Sequence, residues 1–110
     1  YIDLPTQEPG LKTGWLAYPV ILKKEKQISR TKLQIFLEKN SIQTRTIFTG
    51  NILRQPIMKK RFYKKHKNAE TNANNIMING LLLGCHHGLD EKGLSFMKNK
   101  IDLFFKKNVY

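Results

Sequence analysis

Apolar and polar residues recur along this chain with periods that predict three strands and three helices. Thr44, Thr46 and Phe48 alternate with Arg45 and Ile47, the period of two that gives a strand two different faces. Trp15 to Leu22 is also strand-like, although Pro19, which cannot donate to a ladder, argues for an edge or a bulge. The compact apolar run Leu81-Leu82-Leu83 leads through Gly84-Cys85 to His86-His87, and predicts a buried strand whose tail reaches a site. Helical spacing appears three times. Ser29 is a good N-cap, with Ile28 and Leu33 at the spacing of a hydrophobic staple. Leu33, Phe36 and Leu37 then make an apolar face ending near Asn40, whose side chain suits a C-cap. Asn68 to Asn79 reads as a short helix capped by Thr71 or Asn72, with Ala73, Ile76 and Met77 inward. Asp90 caps the last helix, Leu89 and Leu94 repeat the staple, and Leu94, Met97, Ile101, Phe104 and Phe105 share one face.

The order strand, helix, strand, helix, strand, helix implies a small α+β domain, a three-stranded sheet packed with helices. Residues 15–110 would form it. Residues 1–14 hold Pro5, Pro9, Gly10 and Gly14 without periodicity, and read as a linker or arm arriving from an upstream domain. The first residue is Tyr1 and not methionine, so a piece of a longer protein is expected.

At 110 residues the chain holds one domain with a modest core, short for an enzyme carrying a large cofactor. No run approaches the ~18 consecutive apolar residues of a membrane-spanning helix. One cysteine, Cys85, rules out an internal disulfide framework and a cysteine-only zinc site, which fits a cytoplasmic protein. The net charge of +12 invites a nucleic-acid or anionic-ligand reading, but a sequence rich in Lys, Asn and Ile also carries lysine for solubility. Lys59 to Lys67 interleaves Phe62 and Tyr63 with six lysines and arginines. That pattern serves nucleic-acid surfaces, although a solvated loop or short helix anchored by its two rings is commoner.

Candidate chemistry concentrates between Arg45 and Pro56. Two arginines, an asparagine and a glutamine stand within eleven positions around the turn at Gly50-Asn51. Planar forks and amides suit phosphate, carboxylate or sugar hydroxyls. The alternative is that they satisfy turn carbonyls or a domain interface. His86 and His87 would face opposite ways on a strand and could not share one metal comfortably. Cys85 beside His86 lacks an orienting acid and reads as a structural cysteine. The eight acidic residues are scattered, and Gly80, Gly84, Gly88 and Gly93 form no phosphate-binding fingerprint. Ligand binding, or service as part of a larger active site, is what remains.

Thr44-Arg45, then Phe48-Thr49-Gly50-Asn51, then Arg54-Gln55-Pro56, then Gly84-Cys85-His86-His87-Gly88-Leu89 resemble the C-terminal region of the DegT/DnrJ/EryC1/StrS sugar enzymes. The pattern is most similar to their lipopolysaccharide-biosynthesis branch, which includes CDP-4-keto-6-deoxyglucose-3-dehydratase. Ordinary aminotransferases of the family carry Pro-Leu-His near Gly50-Asn51-Ile52. The chain departs from the branch after Pro56, where Ile57-Met58 replaces a common aromatic and a lysine-rich run follows.

The resemblance implies the small C-terminal domain of the fold type I pyridoxal-phosphate-dependent transferase fold. It implies a PLP- or PMP-dependent nucleotide-sugar 3-dehydratase or aminotransferase of O-antigen deoxysugar biosynthesis. The cofactor would be bound mainly by a large domain that lies outside this chain, together with the lysine, or the histidine replacing it, that anchors the cofactor. An iron–sulfur cluster would be possible in the full-length enzyme and not ligated here. This portion alone would be inactive. In the whole enzyme, a homodimer in the cytoplasm, the cofactor would act as electron sink while a 4-keto sugar loses its C3 hydroxyl, or would transfer an amino group. What carries over is a pocket wall: Arg45 and Arg54 for a diphosphate or carboxylate-like group, Asn51 and Gln55 for sugar hydroxyls, and His86 lining the same pocket. The competing expectation is a free-standing basic module that binds RNA or DNA through Lys59 to Lys67 and Lys98 to Lys107.

Overall fold

Leu81 and Leu83 alternate with Leu82 along one strand, and that alternation sets the sheet's buried side. The computed structural model describes residues 1–23, 27–64 and 66–108. In chain order the elements are β1 (Ile2–Asp3), β2 (Ala17–Leu22), α1 (Arg30–Lys39), β3 (Thr44–Thr46), two short 3-10 turns (Ile52–Arg54 and Pro56–Lys60), α2 (Ala69–Asn79), β4 (Gly80–Gly84) and α3 (Glu91–Asn108). The strands pair antiparallel in the order β1-β2-β4-β3. Register sets Val20 opposite Leu81, Tyr18 opposite Leu83 and Thr44 opposite Leu83. These positions share a face. Val20, Leu22, Leu81 and Leu83 bury there with Leu33 and Leu37 of α1 and with Phe104 and Phe105 of α3. Pro19, Ile21 and Leu82, on the opposite face, are only half-buried, and α2 packs against β2 and β4.

The α+β class expected from the periodicity holds, but the sheet has four strands and not three. The fourth comes from the stretch expected to be an arm. Ile2 pairs with Leu22 and Asp3 with Ile21, and Tyr1 stacks on Phe105 with ring centroids 4.8 Å apart. A two-residue strand has no period to display, so sequence pattern could not reveal it. Pro19 faces Leu82 across β2–β4, while β1 reaches only Ile21 and Leu22. At Pro19 the strand is therefore an edge, the position a proline requires.

Local signals were mostly accurate. The Ser29 side chain accepts from Lys32 N at the start of α1, and Asn40 Nδ2 donates to Phe36 O at its end. Asp90 Oδ1 accepts from Gly93 N at 2.8 Å, capping α3. Three expectations shift. Helix α2 starts at Ala69, so Thr71 and Asn72 lie inside it, and its N-cap Asn68 makes no side-chain cap bond. Leu94, expected inward, is 53% exposed. Phe62 and Tyr63 do not anchor their basic segment, since Phe62 is 108% exposed and follows the turn Pro56–Lys60 in irregular backbone. Lys23 to Gln27 reads from its charges as a loop, but residues 24–26 lie outside the described residues, as does Lys65 within the basic run. No described helix is long and apolar enough to cross a membrane.

Candidate functional site

The turn after β3 is built by hydrogen bonds from both ends. Thr44 N and Thr44 Oγ1 donate to Glu38 Oε1 at 2.6 and 2.8 Å, tying the start of β3 to the end of α1. Arg45 follows, exposed, opposite Leu82 of β4. The strand then stops two residues before the alternation does. Phe48 N donates to Thr46 O at 2.8 Å and Thr46 Oγ1 donates to Phe48 O at 3.3 Å. Phe48 sits at φ 45°, a conformation that bulky residues rarely adopt. The residue is 82% exposed.

Gly50 closes the turn at φ 68°, and a Cβ there would lie 2.5 Å from Met77 Cγ. Backbone conformation and contact with α2 both demand glycine. Asn51 comes next, 2% exposed. Its Oδ1 accepts from Leu53 N and its Nδ2 donates to Asn74 Oδ1, each at 2.9 Å. Gln55 Nε2 donates to Thr49 O at 3.1 Å, back across the same turn. Asn51 thus ties the turn to α2. Gln55 satisfies a turn carbonyl, the role that stood as the alternative to ligand contact.

The arginines go to different places. Arg45 and His86 line one groove of about 670 Å³ at the sheet's edge, with Leu16, Phe48, Phe96 and Met97 among its apolar walls. His86 follows the end of β4, and its Nδ1 accepts from Gly88 N at 3.1 Å. That leaves Nε2 as the ring nitrogen able to donate. Because β4 ends at Gly84, the strand argument for the two histidines does not apply; their rings lie edge to face with centroids 6.4 Å apart. Cys85 is half-buried. Arg54 lines a separate cavity of about 370 Å³ between α1 and α2. The five residues singled out in the sequence therefore divide into a groove pair (Arg45, His86), a turn pair (Asn51, Gln55), and Arg54 apart.

A profile of the DegT/DnrJ/EryC1/StrS aminotransferase family matches residues 2–101. This chain belongs to that family. It is 30% identical over 108 residues to lipopolysaccharide biosynthesis protein RfbH of Salmonella typhimurium, covering 98% of this chain and 24% of that protein. It is 36% identical over 87 residues to GDP-4-keto-6-deoxy-D-mannose 3-dehydratase of Escherichia coli O55:H7, covering 78% of this chain and 22% of the relative. Among solved structures it resembles E. coli GDP-4-keto-6-deoxy-D-mannose-3-dehydratase with bound hydrated PLP, with a TM-score of 0.73 and 30% identity over 92% of this chain and 25% of the other. The chain spans about a quarter of the length of the relatives it matches. The resemblance read from the Phe48–Pro56 and Gly84–Leu89 motifs holds, and so does the fold it implied.

A PLP ring is held through an amine partner and a charged group at its pyridine nitrogen. Among the described residues, neither the groove nor the cavity is lined by a lysine, an aspartate or a glutamate. The groove offers a guanidinium and an imidazole between apolar walls, which fits a polar ligand's oxygens and does not fit the cofactor's own seat.

Sequence reasoning missed the groove's apolar walls. Phe48 read as a strand position, and Phe96 is not among the residues of the apolar face read for the last helix. Leu16 read as part of a strand, although β2 begins one residue later. Three exposed large apolar residues around one arginine are visible only after folding.

Proposed function

We propose that this chain is the small C-terminal domain of a PLP- or PMP-dependent nucleotide-sugar enzyme, a 3-dehydratase or aminotransferase of deoxysugar formation in lipopolysaccharide biosynthesis. The observation that carries the reading is the convergence of Arg45 and His86 on an apolar-walled groove within the family's motif. In this reading Arg45 pairs with a substrate oxyanion, His86 Nε2 donates to a sugar hydroxyl, and Phe48 and Phe96 cover the faces of the sugar ring. Asn51 and Gln55 position Phe48 and Arg45 through the turn. The cofactor, anchored outside this chain, supplies the electron sink when bound; this domain binds, orients and excludes water. A cytoplasmic homodimer assembled with a large domain preceding residue 15 completes the reading. The two-residue β1, paired to β2, would then tether the arm of residues 1–14 to the domain.

The test is to incubate the complete enzyme carrying this chain with a nucleotide-linked 4-keto-6-deoxyhexose, PMP and glutamate, and to weigh the sugar product. Loss of the C3 oxygen identifies a dehydratase, and gain of an amine identifies an aminotransferase. An unaltered sugar with every nucleotide tried contradicts the reading.

A second reading, a basic nucleic-acid surface, draws on Phe62, free in solvent within the run Lys59 to Lys67. It requires oligonucleotide binding that weakens steeply with added salt. Binding that is absent at low salt removes it.

A further inference from the structure

Arg54 stands away from the groove just described, and its surroundings suit a different part of a ligand. It lines the cavity of about 370 Å³ together with Arg30. The other polar side chains there are Gln27, Ser29, Thr31 and Asn79, and no carboxylate among the described residues lines it.

Arg30 is held in place. Its Nε donates to Ile78 O at 3.1 Å and its Nη1 to Gln34 Oε1 at 3.4 Å, bridging the start of α1 to the end of α2. The rest of its fork remains available to a ligand. The Arg54 side chain makes no hydrogen bond or ion pair among the described residues, and the residue is exposed. Two guanidinium groups facing one cavity without a counter-charge repel each other, and a bound anion relieves that repulsion.

The wider charge distribution has the same sign. Between Glu38 and Glu70 the sequence holds nine lysines and arginines and no aspartate or glutamate. Arg54 lies within that window. Lys59 and Lys60 follow on the next 3-10 turn. Their charge adds to the positive field of this part of the chain.

The geometry points to Arg30 and Arg54 as a binding site for a diphosphate or phosphate group, in the cavity between the start of α1 and the end of α2. Two planar forks suit the multiple oxygens and the divalent charge of phosphate better than the single charge of a carboxylate. The site deepens the functional reading above and rests on it only for the ligand's source: the diphosphate of the nucleotide sugar, or a separate phosphate-bearing molecule.

The experiment is calorimetric titration of the complete protein with inorganic pyrophosphate, beside a kinetic competition against the nucleotide sugar. Saturable binding is expected. Arg54→Gln and Arg30→Gln should each weaken it by roughly tenfold or more, the size of one lost charge-assisted hydrogen bond. The Arg54 side chain has no hydrogen bond or ion pair among the described residues to lose, so that variant keeps the test sound even if Arg30→Gln loosens α1 from α2. Pyrophosphate that competes with the nucleotide sugar assigns the site to the substrate's diphosphate. Binding without competition assigns it to a separate phosphate ligand.

Absence of saturable binding, or binding indifferent to Arg54→Gln, overturns the site. If turnover of the nucleotide sugar persists in that case, the functional reading survives alone. Pyrophosphate binding that depends on both arginines, in a protein that turns over no nucleotide sugar, upholds the site and removes the functional reading.

Discussion

Asn51 and Asn74 are joined side chain to side chain, Asn51 Nδ2 donating to Asn74 Oδ1 at 2.9 Å across 23 residues of sequence. With Asn51 Oδ1 accepting from Leu53 N, both ends of a 2%-exposed amide are engaged inside the protein. Asn51→Ala leaves a backbone donor and an amide oxygen without their partner, and is expected to lower stability by about 1–3 kcal/mol. Urea unfolding measures it. A variant with wild-type stability and reduced substrate affinity would instead mark Asn51 as a ligand contact.

Gly50 should tolerate no side chain. Gly50→Ala meets the left-handed backbone at φ 68° and an overlap with Met77, whose Cβ and Cγ lie 2.6 and 2.5 Å from the new methyl carbon. The conformational part alone costs about 1–2 kcal/mol and the overlap adds to it. A lowered denaturation midpoint is expected, and pairing with Met77→Ala should relieve only the contact with Cγ, since the Met77 Cβ at 2.6 Å and the backbone cost both remain. An unchanged midpoint for Gly50→Ala would contradict this account of the turn.

Glu38 fixes where Arg45 begins. Its Oε1 accepts both Thr44 N and Thr44 Oγ1. Glu38→Ala removes both bonds at the α1–β3 junction and is expected to cost about 1–3 kcal/mol, toward the lower end because water reaches the site. Glu38→Gln keeps an acceptor oxygen and should cost less. Equal losses in the two variants, read by thermal unfolding, would show that the carboxylate's charge and not its hydrogen bonds matters.

Where the chain's own neighbours decide structure, the sequence was legible. Ser29, Asn40 and Asp90 cap the ends their side chains suggest, because a cap is satisfied within a few residues. The alternation at Leu81–Leu83 revealed a strand, because one face of it is buried. Long-range outcomes were not legible. The antiparallel neighbours of β4 are β2 and β3, a choice made by pairing across many residues. The early start of α2 carries no side-chain cap signal at Asn68. Phe48 fits a strand by alternation, yet Gly50 packed on Met77 turns the chain before Phe48 can join the ladder. The motif between Arg45 and Gln55 was visible as a unit. Its division among a groove, a turn clamp and a second cavity depends on α2 and α3, which no local pattern brings to it.

The central claim is that the groove of Arg45 and His86 is a wall of the substrate pocket. The direct measurement is the steady-state kinetics of Arg45→Gln in the complete enzyme, beside its thermal unfolding. Arg45 is exposed and its side chain makes no hydrogen bond or ion pair among the described residues, so its replacement should leave the unfolding midpoint unchanged. A fall in kcat/KM of roughly 100-fold is expected, about 2.7 kcal/mol of lost transition-state stabilisation. Wild-type kcat/KM with an unchanged midpoint would contradict the claim.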